Sequence, residues 1–515
     1  MIVFFDVWES VFGYMFTFAV DPLAWLCIGG GMFVGILFGS IPGITATTAV
    51  ILIIPATYYM PLEYALLLLL ATFKGGMFGG AIASITIGTP GSPGAVATTF
   101  DGYPLGQQGK GMKAIRLAMF SSFIGDVSSD LITVVLTPFV GLWVLGLGPP
   151  EIFIIVFSSI LLIGSLSGPL RGSENGAATT AKAMLSGVIG VTLILVGMEP
   201  IMGTPRLTFG MPKLLAGFNL IPVFTGLFGV SRAFALLTEA RETSELRKSH
   251  LPPPKTEEDA KLGLKEFFSC GKMIGVGTLF GTMIGFIPAL GPNAAGLIVH
   301  GQARMFAKNK ENWGHGELEG VAVCESANSA VNGANMLPLV TLGIPGSTEA
   351  AILLGAFILH GIEIGPLMIK YYPEVVYRMY GGMLLANIGM ILVGIPLVTL
   401  FIKAVSIPRG ILMPIILSLC IMGIWLREPL VFHLWMLLFF GVIGVLMEKT
   451  GFSAAALTIG FILGTLLETS FSQSVIIARG DYLSLMARPG VLTITGLIVG
   501  AVLSWMILQR RIRST

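Results

Sequence analysis

Charge is scarce in this 515-residue sequence: Asp, Glu, Lys and Arg together make up 11% of it, against about 25% in an ordinary soluble protein. Hydrophobic residues supply 54%, and the mean hydropathy is +0.87. A soluble fold of this size has too little interior to hide so much apolar surface, so lipid is expected to be the solvent for most of the chain. A closed barrel is excluded because its strands alternate lipid-facing and lumen-facing residues. Apolar runs such as Ile51–Ile54, Leu66–Leu70 and Ile411–Leu419 do not alternate. Cysteine is rare: Cys27, Cys270, Cys324 and Cys420 lie far apart, with neither metal-ligand nor redox spacing. The five histidines (His250, His300, His315, His360, His433) show no metal spacing either. No His-Glu-x-x-His, phosphate loop or Ser/His/Asp order occurs, so an enzyme is not expected. Thirty basic and 28 acidic residues nearly balance, and no basic stripe is present. Nucleic acid is therefore not an expected partner. The start of the chain has no positive segment and does not read as a cleaved signal.

What the sequence has in quantity is glycine, 67 residues, together with 29 prolines. In a helical membrane protein these point to close helix contacts and interrupted helices. They also occur twice in the same order. Gly31, Gly35 and Gly39 precede Ile41-Pro42, as Gly277, Gly281 and Gly285 precede Ile287-Pro288, at an offset of 246. Thr86–Ser92 matches Thr341–Ser347 at 255, and Gly187–Val191 matches Gly441–Val445 at 254. Three collinear matches indicate an internal duplication, as in many transporter folds. Between the copies, Arg241 to Lys272 holds seven Lys/Arg and six Asp/Glu around Pro252-Pro253-Pro254. This reads as a water-exposed linker, helical around Glu257–Phe267.

The sequence thus divides into an N-terminal membrane repeat (1–240), a charged cytoplasmic linker (241–272), a C-terminal membrane repeat (273–490) and an extra helix with a basic tail (491–515). Equivalent loops carry opposite Lys/Arg status. Residues 1–27 have none where the linker has seven, and Tyr58–Tyr64 has none where Gln302–Glu319 has Arg304, Lys308 and Lys310. The positive-inside rule then predicts inverted repeats, with the N-terminus outside and the linker inside. Arg510, Arg511 and Arg513 place the C-terminus inside as well, which requires the additional apolar span Val491–Leu508. The expected fold is an all-α polytopic membrane protein of two inverted repeats with broken helices or re-entrant hairpins.

The breaks are the strongest candidates for function. Gly88-Thr89-Pro90-Gly91-Ser92-Pro93-Gly94 and Gly343-Ile344-Pro345-Gly346-Ser347-Thr348 cannot lie within a helix. At such joints a half-helix N-terminus offers free amides and a positive dipole end to a carboxylate, and exposed carbonyls can hold Na⁺. The alternative is a structural kink. Thr89, Gly91, Ser92, Gly346, Ser347 and Thr348 are the expected substrate contacts, joined by Thr45 and Asn293 beside the Pro42 and Pro288 breaks. Asn328, Asn332 and Asn335 share one helical face with Glu325 and read either as a cavity lining or as a helix end in water. Asn332 is grouped with the substrate residues. Gly43, Asn328, Asn335, Asp126 and Asp130 are the candidate ion-coupling residues. Asp126 and Asp130 could equally face a neighbouring chain. Lys74 reads as a snorkelling lysine or as an attractor of anions. For Gly31 and Gly35 simple helix packing is the favoured reading.

With these motifs in hand, the sequence resembles the large membrane subunit of the bacterial tripartite tricarboxylate transporters. The resemblance is carried by Gly39–Gly43, Ile87–Gly94, Phe100–Leu105, Glu319–Asn335 and Leu342–Ser347, and spans about Leu23 to Gly460. It implies a translocating subunit of a secondary importer in the inner membrane, driven by Na⁺ or H⁺ and needing no other cofactor. It also implies a small membrane partner of about four helices and a periplasmic binding protein that captures citrate or another organic carboxylate. Monomer and homodimer are both open. An organic-anion channel and a structural subunit without a pathway of its own are the rival readings.

Overall fold

The structure is a computed structural model and describes residues 2–166, 176–242, 251–287, 291–362, 364–365, 368–427, 429–481, 483, 485, 487–496 and 500. In the first half the helices are α1 (Ile2–Val20), α2 (Pro22–Ser40), α3 (Ala46–Thr57), α4 (Leu62–Ile87), α5 (Val96–Leu105), α6 (Gly111–Val144), α7 (Pro149–Leu166), α8 (Gly176–Ile194), α9 (Leu220–Phe224) and α10 (Ser231–Glu242). Then come α11 (Glu257–Ala260), α12 (Leu264–Ser269), α13 (Gly271–Gly285), α14 (Gly291–Ala303), α15 (Leu318–Ala334), α16 (Met336–Leu342) and α17 (Thr348–Leu359). The chain continues through α18 (Met368–Tyr371), α19 (Pro373–Ala404), α20 (Arg409–Arg427), α21 (Val431–Thr450) and α22 (Ala454–Ala478). Two-residue strands β1 (Gly197–Met198) and β2 (Pro205–Arg206) pair antiparallel.

The protein is an all-α polytopic membrane protein. Among the described residues, six helical segments are long and apolar enough to cross a bilayer: α2, α4, Pro93–Val144, α19, α21 and α22. Others are too short. Each of α3 and α17 has 12 residues, about 18 Å at 1.5 Å per residue, against a hydrocarbon core of about 30 Å. Contacts divide the chain into two compact units, Met1–Gly141 with Asn219–Thr450, and Leu142–Phe218 with Gly451–Thr515.

In the larger unit both glycine ladders do the same thing. A Cβ on Gly31, Gly35 or Gly39 would collide with the backbone carbonyl of Leu68, Thr72 or Gly76, so α2 lies directly on α4. A Cβ on Gly277, Gly281 or Gly285 would collide with α15 at Val323, Ala327 or Val331. Close packing therefore accounts for Gly39 as well as Gly31 and Gly35. An apolar core of Ile28, Met32, Phe78, Met119, Met390 and Phe401 joins α2, α4, α6 and α19. The buried helices then end alike. Gly88 closes α4 at φ 68° and Gly343 closes α16 at φ 71°, a left-handed conformation that glycine adopts without a Cβ clash. Extended residues Ser92 and Ser347 follow, and new helical segments begin after them.

The smaller unit packs α7 and α8 against α22. Gly190 faces the Leu457 carbonyl and Gly460 faces the Gly187 carbonyl, a reciprocal close approach. Arg206 pairs with Glu468 at 2.6 Å. Gly187–Val191 is thus a packing face. Its sequence twin in α21 packs too, with Gly441 against Val230 and Gly444 against Leu227. The expected linker forms α11 and α12 within its described part, while residues 243–250, including His250, lie outside the described residues. So do Pro288–Leu290 of the second break and most of the expected final span beyond residue 496.

Candidate functional site

The two Gly/Pro/Ser breaks flank one helix. α15 is buried along Glu319–Ala334, so its polar residues face protein, not lipid. A Cβ on Gly94 would overlap the Asn328 side-chain amide, and one on Gly346 would overlap that of Asn335. These asparagines are seven residues apart, about 10 Å along the helix. Both are fully buried, and neither the oxygen nor the nitrogen of either amide has a hydrogen-bond partner. Unpaired buried amides are costly and rare in a packed interior. Gly91 sits where a Cβ would meet the Gly39 carbonyl, and its amide donates to the Gly80 carbonyl at 3.3 Å. Ser92 is buried, and its hydroxyl has no partner. The Ser347 hydroxyl instead accepts the Ala350 amide at 3.2 Å and caps α17. Thr89 and Thr348 are half-buried at the two breaks.

A buried ionic cluster lies against the same helix. Lys74, in α4, is 1% exposed. Its Nζ donates to Asp130 Oδ2 at 2.7 Å, to Asp126 Oδ1 at 3.3 Å and to Asn387 Oδ1 at 2.7 Å. Asn387, in α19, donates from Nδ2 to Asp130 Oδ2 at 2.7 Å. Asn332 donates from Nδ2 to Asp126 Oδ1 at 3.2 Å and ties the cluster to α15. Close contact makes this seam possible: Gly125 of α6 meets Ser326, and Gly333 meets Ser129 and Asp130. The expectation that Lys74 snorkels to an interface is overturned by these contacts: two carboxylates hold it in the interior. Two carboxylates share one ammonium, and Asp126 Oδ2, Asp130 Oδ1 and Asn332 Oδ1 have no partner. The cluster therefore offers spare oxygen acceptors and, with both carboxylates ionised, one uncompensated negative charge.

Next to it, Glu325 accepts hydrogen bonds from Thr98 and, at 3.1 Å, from Ser122. Toward the Gln302–Glu319 loop, Asp101 accepts the amides of Gly314, Gly316 and Glu317 at 2.8–3.1 Å and meets His300 Nε2 at 2.8 Å. The remaining expected residues sit elsewhere. Thr45 caps α3, accepting the Thr48 amide at 3.4 Å. Its neighbour Thr47 donates to Glu349 Oε1 at 2.6 Å, linking α3 to α17. Gly43, at φ 87°, stands against the Arg232 guanidinium, a fixed cation and thus a poor neighbour for a coupling cation. Asn293 falls in the first turn of α14, and its side chain lies outside the described residues. Sequence reasoning missed Thr98, Ser122 and Asn387, while Thr47 stands beside Thr45 after the Pro42 break. Only Asn387 carried a signal, as a lone amide within the apolar Gly381–Leu400 stretch.

Comparison with known proteins fits this architecture. The family model described as "Tripartite tricarboxylate transporter TctA family" matches residues 25–459. A protein of Agrobacterium vitis, described as an uncharacterized 52.8 kDa protein in the TAR-I ttuC' 3' region, is 30% identical over 476 residues, covering 92% of this chain and 91% of that protein. A second one from the TAR-II ttuC' 3' region of the same organism is 33% identical over 217 residues, 42% of this chain and 90% of its own length. The chain thus belongs to the tripartite tricarboxylate transporter TctA family, and is a multi-pass transporter subunit.

Proposed function

We propose that the chain is the translocating subunit of a secondary transporter that imports organic carboxylates, citrate or other di- and tricarboxylates, by alternating access driven by Na⁺ or H⁺. It works in the inner membrane with a small membrane subunit of about four helices and a periplasmic binding protein. Its N-terminus is periplasmic; its linker and C-terminus are cytoplasmic. The observation that carries this reading is the pair of breaks on either side of α15, facing Asn328 and Asn335, whose buried amides have no protein partner. A carboxylate satisfies such amide donors, together with the Ser92 hydroxyl and the backbone amides that begin α17. Thr89, Gly91, Gly346 and Thr348 shape the two joints. Asp126 and Asp130, with one ammonium between them, supply the cation side: one added positive charge balances the cluster. Left-handed joints at Gly88 and Gly343 provide places for the chain to bend as access alternates. The uneven Lys/Arg distribution supports opposite orientation of the two repeats.

The test is uptake of labelled citrate and other di- and tricarboxylates by proteoliposomes holding the full chain with its partner subunits and binding protein. Accumulation above equilibrium under an imposed Na⁺ or pH gradient is expected. Downhill flux without accumulation would make the protein a channel. An intact complex with no flux for any acid would leave the chain a structural subunit.

A further inference from the structure

We propose that Glu325 is a proton carrier of the transport cycle, held as the neutral acid in this conformation. The proposal rests on the transport reading and deepens it by naming H⁺ as a coupling ion. Glu325 is fully buried in α15. Its two oxygens receive only neutral donors, the hydroxyls of Thr98 in α5 and Ser122 in α6. No ion pair to it occurs among the described residues.

Each charged group on the helices around it is already engaged. On α5, Asp101 is held by His300 of α14 and by three loop amides. On α6, Asp126 is held by Lys74 of α4 and Asn332, and Asp130 by Lys74 and Asn387, while Lys113 pairs with Glu266 and Arg116 reaches the Ala260 carbonyl. The one charged residue of α13, Lys272, is exposed at its start and reaches the Phe306 carbonyl. α16 has no titratable residue. On α15 itself, Glu319 is met by Lys308, and Cys324 is buried. An ionised Glu325 would therefore be a buried charge with two carboxylates one helical turn beyond its donors and no cation to compensate it. A carboxylate left so is expensive, whereas the protonated acid is not. The contrast with Asp126 and Asp130, which do have an ammonium, is internal to the molecule.

The same geometry supplies a route and a readout. A hydroxyl both donates and accepts, so Thr98 and Ser122 can pass a proton on. The O–H bond of Glu325 breaks as one forms on the relaying oxygen, whose own proton leaves; the net transfer is one proton, with no other reactant. Thr98 lies one turn from Asp101 and the Gly314–Glu317 loop, and Ser122 lies one turn from Asp126. Thr98 is also six residues beyond Ser92, on the helix that begins after the first break. Ionisation of Glu325 changes its bond to α5, and thereby the position of that break beside Asn328.

Infrared difference titration of the purified full chain tests the protonation directly. Wild type is expected to show the C=O band of a buried carboxylic acid at neutral pH, and Glu325→Gln to lack it. Absence of the band in wild type, or its persistence in the variant, overturns the proposal. Thr98→Val with Ser122→Ala keeps the acid and removes its donors, so the band should shift rather than vanish; an unshifted band overturns the geometry. In proteoliposomes with the partner subunits and citrate as probe, Glu325→Gln should lose accumulation driven by a pH gradient while citrate exchange at equal pH continues. Equal accumulation by variant and wild type, or wild-type accumulation that follows a Na⁺ gradient and ignores pH, overturns it. A wild-type complex that moves no citrate overturns the transport reading instead, while the infrared band still decides the state of Glu325.

Discussion

α4 and α15 occupy corresponding places in the two halves and have been put to opposite uses. Each is pressed against a glycine ladder, and each leads to a left-handed glycine followed by a break. Their buried polar content differs. Among buried charged and amide residues, α4 contributes Lys74 alone; α15 contributes Glu319, Glu325, Asn328 and Asn332, with Asn335 at its end. The breaks differ in the same way. Ser347 is spent on capping α17, while the Ser92 hydroxyl has no partner. The backbone device is therefore common to both halves, and the chemistry differs between the two helices: α4 supplies the cation, and α15 presents amides and acids.

That division can be broken most sharply at Lys74. Lys74→Met leaves Asp126 and Asp130 buried without a counter-ion and should cost about 3–5 kcal/mol, read by thermal unfolding in detergent and by folded yield. Asp126→Asn should cost far less, since Asp130 still holds the ammonium. Equal losses would mean that the cluster is not organised around the lysine.

The shared scaffold is tested next. Gly39→Ala and Gly285→Ala should each destabilise by about 1–3 kcal/mol, the usual range for overpacking, because both new methyls meet backbone. Gly29→Ala, which meets open space within α2, should not lower the unfolding midpoint and should raise it slightly. A large difference between Gly39 and Gly285 would show that the ladders are not equivalent.

Smaller still is the effect at the breaks. Ser347→Ala removes a helix cap and should cost about 1 kcal/mol. Ser92→Ala should leave stability unchanged while lowering carboxylate uptake. Matching stability losses would erase the asymmetry between the serines.

The smallest effect is expected where ions meet water. Glu266 sits just ahead of the second ladder and pairs with Lys113 at 2.7 Å. Partial burial pushes its carboxyl up, but the Lys113 hydrogen bond and the Gly263 amide outweigh that and hold it below the usual carboxylate range. Its stabilisation is therefore present above the unfolded value and lost as pH falls through the folded one. Glu266→Gln should cost a little at neutral pH and nothing in acid, and added salt should erase the difference. A loss as large as that of Lys74→Met would blur the line between the buried and the surface ion pairs.

Much of the scaffold was legible in the sequence. Gly31/35/39, Gly277/281/285 and the paired Pro-Gly-Ser motifs are local patterns, and local patterns carry their own geometry. The i,i+4 pair Asp126 and Asp130 was visible for the same reason. Their partner was not, because pairing between helices depends on which faces meet and leaves no spacing to read. Lys74 looked like an interfacial residue because its own helix cannot show that two acids await it. Thr98, which bonds Glu325, and the partnership of Thr47 with Glu349 were hidden likewise, as hydroxyls in apolar stretches usually bond their own backbone.

The place of Lys74 also bears on biogenesis. Its acids lie 52 and 56 residues further along the chain, and Asn387 lies 313 residues away. The ribosome therefore delivers the lysine to the membrane before the groups that neutralise it. α4 has to be retained at the insertion machinery, or left at the lipid headgroups, until the acids arrive, so this stretch of the protein enters the bilayer as a set rather than one helix at a time.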